Sequence, residues 1–123
     1  MSKMLLSINP QHVVNILSGV KKFEFRKVRC RREVESILIY ATSPEMKVVG
    51  EARVLQIIED APEEVWELTR HESGISYDFF SDYFSGHDTA IAYHLDNVQV
   101  FPEPKDLADF GLTHAPQSFA YVA

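Results

Sequence analysis

The chain has 123 residues, 46% of them hydrophobic and 24% charged, a balance that fits one globular domain and excludes a disordered chain or a pair of domains. No apolar run approaches the roughly 20 residues of a membrane-spanning helix, the Met4–Ile8 stretch is too short for a secretory signal, and a lone cysteine, Cys30, rules out an internal disulfide and points to a reducing, cytoplasmic setting without a membrane partner. The net charge of −6 argues against a protein that wraps a polyanion. In chain order, Lys3–Ile8 reads as a first strand. Asn9-Pro10 then supplies a helix start, with Asn9 as the N-cap and Pro10 where its missing N–H costs nothing. Val13, Val14, Ile16 and Leu17 give that helix an apolar face, and Gly19 ends it. Lys22–Lys27 alternates as a half-buried strand does, Phe23 and Phe25 on one side and Lys22, Glu24 and Arg26 on the other. Ser36–Ala41 is apolar throughout and predicts a central strand, closed by the turn Thr42-Ser43-Pro44. Lys47–Ile58 follows as a long strand in which Gly50 marks a bulge or a close backbone approach. Two helices come next, Pro62–His71 with Val65, Trp66 and Leu68 as its apolar side, and the aromatic Ser76–Phe84. Thr89–Phe101 alternates as a strand, a short turn falls at Leu107–Phe110, and Ser118–Val122 is a last strand.

Five or six short strands interleaved with few helices predict an α+β domain spanning residues 1–123. It is a small, mostly antiparallel barrel or sheet with one helix between the first two strands and a helical insertion before the late ones. Periodicity does not distinguish a closed barrel from an open sheet.

Charge is unevenly distributed. Residues 1–53 carry ten Lys/Arg against five Asp/Glu, and residues 54–123 carry two against thirteen. Seven of the twelve basic residues lie between Lys21 and Arg32. Exposed charges more than about 8 Å apart are largely screened at physiological salt, so such a cluster can capture an anion on an acidic protein. Within it, Glu24 and Arg26 share one face of a strand and Lys21 stands at the helix–strand junction. Arg26 offers a planar fork for phosphate or a base edge. Lys21 offers a point charge or an amine of tunable pKa. Glu24 can accept from a base amino group or carry a proton, or it can pair with Arg26 to hold the rim of the sheet. A second group is Tyr40, Thr42, Ser43 and Lys47 with Gln117 and Ser118, a tyrosine for stacking and hydroxyls for phosphate, although Thr42 and Ser43 also suit a plain turn. His12, His71, His87, His94 and His114 are scattered without metal-ligand spacing, so no metal site is expected, and no cofactor is implied. Phosphate-loop and serine-hydrolase motifs are absent from the sequence.

The stretch Gly19-Val20-Lys21-Lys22-Phe23-Glu24-Phe25-Arg26 is a Gly-x-Lys-x-x-Glu-x-Arg motif and resembles the signature of the ASCH domains, a branch of the PUA-like β-barrel superfamily. Leu6–Pro10, Ile39–Pro44, Val49–Ala52 and Pro116–Phe119 extend the resemblance over most of the chain. It implies a barrel with a cleft beside the first helix, and a role in RNA binding, in coactivation, or in hydrolysis of modified nucleosides; bacterial relatives of this layout are described as predicted transcriptional regulators. The branch that hydrolyses N4-acetylcytidine is similar at Gly19, Lys21 and Arg26 but places a threonine nucleophile where Glu24 stands here. A carboxylate does not replace that hydroxyl, so that mechanism is not expected. The reading that follows is a module binding single-stranded RNA or a nucleotide through Lys21, Lys22, Glu24, Arg26, Tyr40, Thr42, Ser43, Lys47, Gln117 and Ser118. The alternatives are a hydrolase using Lys21 and Glu24 as an acid–base pair in the same cleft, and a protein-interaction domain or homodimer built on the aromatic segment 77–84.

Overall fold

A computed structural model describes residues 2–122. Strand β1 (Ser2–Ile8) leads into helix α1 (Pro10–Leu17), then β2 (Phe23–Arg26), β3 (Val34–Ala41) and β4 (Lys47–Asp60). Helix α2 (Pro62–Thr69), a 3₁₀ turn at Arg70–Glu72 and helix α3 (Tyr77–Tyr83) form the insertion. Strand β5 (Ala90–Lys105), a second 3₁₀ turn at Leu107–Phe110 and β6 (Phe119–Val122) complete the domain. The predicted elements are all present, with ends displaced by a few residues. The largest displacement is in β5, which runs past the expected stop at Phe101. Pro102 and Pro104 fit because the partner register jumps from Gly50↔Val100 to Val48↔Lys105, and residues without an N–H are tolerated in such a bulge.

The strands make one six-stranded sheet in the order β2-β5-β4-β3-β1-β6. Only the β1–β3 pairing is parallel; the other four are antiparallel. The sheet is mixed and its backbone ladder does not close, since β2 and β6 are its edges. Gly50 meets both expectations for it. The β4 register is irregular there, and a Cβ would stand 2.7 Å from the Gln99 carbonyl oxygen.

Three apolar clusters hold the layers together. The largest joins Val13 and Ile16 of α1 to Met4, Leu6 and Ile8 of β1, Ile37 and Ile39 of β3, and Tyr93 of β5. On the opposite face Leu5, Leu38, Tyr40 and Val48 are covered by Phe101, Leu107 and Phe110. The third docks the insertion: Phe23 and Phe25 of β2 meet Val65, Phe80 and Phe84. Here the sequence reading needs correcting for α2. Its buried line is Val65 and Thr69, whereas Leu68 is 64% exposed, because residues four apart share a helix face and Leu68 is turned about 60° from Val65 and about 100° from Thr69, to the outer side. The aromatic run also divides. Phe80 and Phe84 are core, and only Tyr77 and Phe79 keep substantial exposure.

Phe80 is the pin of this docking, 1% exposed with ring centroids 5.2 Å from Phe25, 5.0 Å from Trp66 and 4.8 Å from Phe84. Phe80→Ala is expected to cost about 3–5 kcal/mol, read as a lower urea midpoint at unchanged slope; a loss below about 1 kcal/mol would show that the insertion is not part of the cooperative unit.

Candidate functional site

The site is assembled where α1, β2 and the insertion meet. Asn9 caps α1, its side chain accepting from the Gln11 amide at 3.3 Å. After Leu17 the chain reverses through Gly19, whose φ of 87° strongly favours glycine, and the Lys21 amide donates back to the Asn15 carbonyl at 2.9 Å. Lys21 is thereby turned inward and is 2% exposed. Its Nζ donates to the Ser73 carbonyl at 3.0 Å and sits 4.6 Å over the Phe25 ring. Gly74, at φ 70°, lies so close that a Cβ would be 2.4 Å from the Lys21 Cβ, so the insertion is fitted around this lysine. Burial pushes the Lys21 amine down to about 8; Glu24 partly offsets this and Arg26 adds to it.

Glu24 and Arg26 form a shielded ion pair, with side-chain exposures of 8% and 14%. Arg26 grips one carboxylate oxygen, Glu24 Oε2, through Nε at 3.1 Å and Nη2 at 2.9 Å. Its Nη2 also donates to the Ser7 carbonyl at 2.9 Å and Nη1 to Ser118 Oγ at 3.2 Å. One side chain of edge strand β2 therefore reaches β1 and the start of β6, across the gap that the backbone ladder leaves open.

Lys21, Glu24 and Arg26 line a cleft of about 310 Å³, with His12 of α1 and Phe79 and Tyr83 of the insertion opposite. The His12 ring meets Phe79 edge-on at 5.2 Å. Burial, then Lys21, hold the His12 pKa below its ordinary 6.5, so the imidazole is neutral at pH 7. Burial raises the Tyr83 phenol. The sequence reading passed over His12, Phe79 and Tyr83. For His12 a signal existed: it lies four residues before the buried Ile16, hence on the inward face of α1.

The second predicted group is not gathered into this cleft. Tyr40 is 2% exposed and packs against Leu5, Leu38 and Val48 on the far side of the sheet. Lys47 pairs with Asp106, and Lys22 points outward to Glu72 at 2.9 Å. Thr42 stands next to the rim, its amide donating to the Ile8 carbonyl at 3.1 Å; Ser43, which follows it, and Gln117, which precedes Ser118, are exposed. Ser118 does join, through Arg26. Among the described residues no three His, Cys, Asp or Glu side chains converge where a metal ion would sit.

No family model matches the chain. The crystal structure of ASCH from Zymomonas mobilis superposes with a TM-score of 0.88 at 28% identity, covering 98% of this chain and 87% of that one. A Tyr→Phe variant of the same protein gives 0.90 at 26%, covering 100% and 91%. A curated protein of that organism, an ASCH domain-containing ribonuclease, is 31% identical over 96 residues, which are 77% of this chain and 65% of the relative. The chain belongs to the ASCH domain family. Two further curated matches are longer proteins of Ureaplasma parvum serovar 3. One is ATP synthase subunit alpha, 33% identical over 120 residues, and the other is large ribosomal subunit protein uL22, 28% identical over 120 residues. The chain spans 97% of itself in both matches but only 15% and 39% of those proteins.

The buried lysine gives this ASCH domain a distinctive alkaline signature. Unfolded, the amine has its ordinary value of 10.5; folded, it lies near 8. Between these values the unfolded chain binds more protons, so stability rises with pH across that window; below it this group adds no pH dependence and the cost of its buried charge is present in full. The full window corresponds to about 3 kcal/mol at 1.36 kcal/mol per pKa unit. Urea unfolding between pH 7.5 and 9.5 is expected to show wild type gaining stability relative to Lys21→Met; identical pH slopes would show that Lys21 is not a desolvated charge.

Proposed function

We propose that this ASCH domain binds single-stranded RNA or a nucleotide, seating one nucleotide in the cleft between α1, β2 and the insertion. The observation that carries the reading is a nearly inaccessible Lys21 held at the wall of an open cleft beside the Glu24–Arg26 pair. An ammonium taken out of water without an ion-pair partner of its own is costly. A ligand that brings an anion or a base carbonyl to it offsets that cost. The cleft volume falls at the small end of ligand sites. Its walls combine aromatic rings (Phe25, Phe79, Tyr83) with a few polar groups, as recognition of an unpaired base requires. Ser118, held by Arg26, and Thr42, whose amide bonds to the lining residue Ile8, would meet the flanking backbone, with Ser43 and Gln117 next to them in sequence; Tyr40, on the far side of the sheet, and Lys22 and Lys47, paired with Glu72 and Asp106, are not part of this seat. The ribonuclease description of the Zymomonas mobilis relative supports an RNA-related role.

One observation favours a second reading, hydrolysis in the same cleft. Lys21 is shifted to about 8 and His12 is held neutral, and displaced pKa values in a cleft are what acid–base chemistry demands. Lys21 and Glu24 would then exchange the proton.

Titrating the ¹⁵N-labelled protein with short single-stranded RNA at near-physiological salt is expected to shift amides of residues 21–27 and of Thr42 and Ser43. Absence of shifts there overturns the binding reading. Cleavage of the RNA that disappears in a folded Lys21→Met variant would select the hydrolase, whereas unchanged cleavage in that variant would exclude Lys21 from any chemistry.

A further inference from the structure

Of the seven basic residues between Lys21 and Arg32, Lys21 and Arg26 line the cleft and Lys22 pairs with Glu72, which leaves Lys27, Arg29, Arg31 and Arg32 without a role in it. These four lie on the connection from β2 to β3, and all are exposed. The connection has no regular structure, yet it is fixed. The Cys30 amide donates to the Tyr93 hydroxyl at 3.0 Å, and the Arg31 and Arg32 amides donate to the Tyr121 hydroxyl at 2.8 and 3.1 Å. Two tyrosines from the sheet thus hold an irregular segment by its backbone and leave its cationic side chains facing out.

The ridge starts at the cleft. Arg26 lies inside it, and the Lys27 ammonium sits 4.6 Å over the ring of Tyr83, a wall residue. From there the chain continues, held by Tyr93 of β5 and Tyr121 of β6, to Arg32, whose guanidinium stacks 4.5 Å over Tyr121. Arg29 is paired with Glu59 at 2.9 Å. Lys27, Arg31 and Arg32 have no ion-pair partner among the described residues. A groove of about 610 Å³ runs beside the far half of the ridge, where Glu33 and Glu35 end the positive stretch. Five Cα steps from Lys27 to Arg32 reach at most about 18 Å, the length of a few phosphates.

We propose that Lys27–Arg32 is a phosphate track that holds the backbone of a single-stranded RNA whose neighbouring nucleotide occupies the cleft. The inference rests on the cleft reading for its register and names the ligand as a strand rather than a free nucleotide. Arg supplies forked donors to phosphate oxygens, and a track that touches only backbone adds affinity without sequence preference. An acidic peptide is the competing occupant. The continuity of the ridge with a cleft walled by aromatic rings favours the nucleic acid, because a peptide would leave those rings and Lys21 unused.

The test compares wild type with Arg31→Ala/Arg32→Ala, which keeps the backbone amides that Tyr121 holds. The probes are a labelled single-stranded RNA of about ten nucleotides and a nucleoside monophosphate. Removing two phosphate contacts is expected to weaken the RNA about tenfold and to reduce the slope of log K against log salt by about 1.4, near 0.7 per contact. Shifts produced by the monophosphate at the cleft amides are expected to be unchanged. Equal RNA affinity and equal salt slope in both proteins would overturn the track, as would an RNA that wild type does not bind or a polyglutamate peptide that displaces it at equal concentration. An RNA response that depends on the two arginines without any cleft response to the monophosphate would instead leave the track standing and remove the cleft reading.

Discussion

Arg26 holds the two edges of the sheet together. Strands β2 and β6 are the ends of a six-stranded ladder that does not close, and the guanidinium bridges that gap by binding Glu24 on its own strand, the Ser7 carbonyl on β1 and Ser118 before β6. A guanidinium has five N–H donors, and these contacts engage four of them. The residue in the motif that looks best suited to grip a phosphate is thus largely committed to shaping the cleft. Removing either member of a shielded ion pair leaves the other uncompensated, typically at several kcal/mol, so Glu24 and Arg26 define the rim before any ligand arrives. The chemistry that remains free in the cleft belongs mainly to Lys21 and His12.

Lys21 couples that rim to the insertion. The lysine donates to Ser73, Gly74 closes against its Cβ, and Phe25 lies under its ammonium while also packing on Phe80 and Phe84. The insertion is therefore anchored twice, by an aromatic cluster that favours folding and by a buried charge that opposes it. A leucine or methionine at position 21 would fill the same space without the desolvation cost. That the position is cationic despite this is a physical reason to place function there, independent of the family to which the chain belongs.

Much of this was legible in the sequence, for identifiable reasons. Asn9-Pro10, Gly19 and the Phe23/Phe25 alternation are local signals, and they fixed α1, β2 and their junction to within a residue or two. The shared face of Glu24 and Arg26 followed from the strand period alone, and their ion pair is present. What local pattern does not carry is which partner covers a face. Tyr40 reads equally well as a stacking platform or as core, and the decision lies with Phe101, Leu107 and Phe110 sixty and more residues away. Likewise α2 turns Thr69 inward and Leu68 outward because Val65 must meet the aromatic rings of β2. The spacing of His12 from Ile16 marks its helix face, but that Phe79 and Tyr83 stand in the same cleft depends on the insertion lying against α1, a contact between segments some sixty residues apart.

Charge gives the cleft a direction of approach. The insertion that forms one wall exposes Glu63, Glu64, Glu67, Asp78 and Asp82, while the β2–β3 connection on the other side of Arg26 exposes Lys27, Arg29, Arg31 and Arg32. A polyanion entering over the insertion meets repulsion, and one arriving along the connection is drawn to the site. Screening beyond about 8 Å keeps the two fields local, so they do not cancel across a domain of this size. On the proposed reading a single strand would lie on the ridge and turn one base inward, while a duplex, with phosphates on two sides, would also bring charge against the acidic wall. The net charge of −6, which taken alone argues against a polyanionic ligand, is then part of how the domain would discriminate among such ligands: the acidic half restricts what the basic ridge can accept.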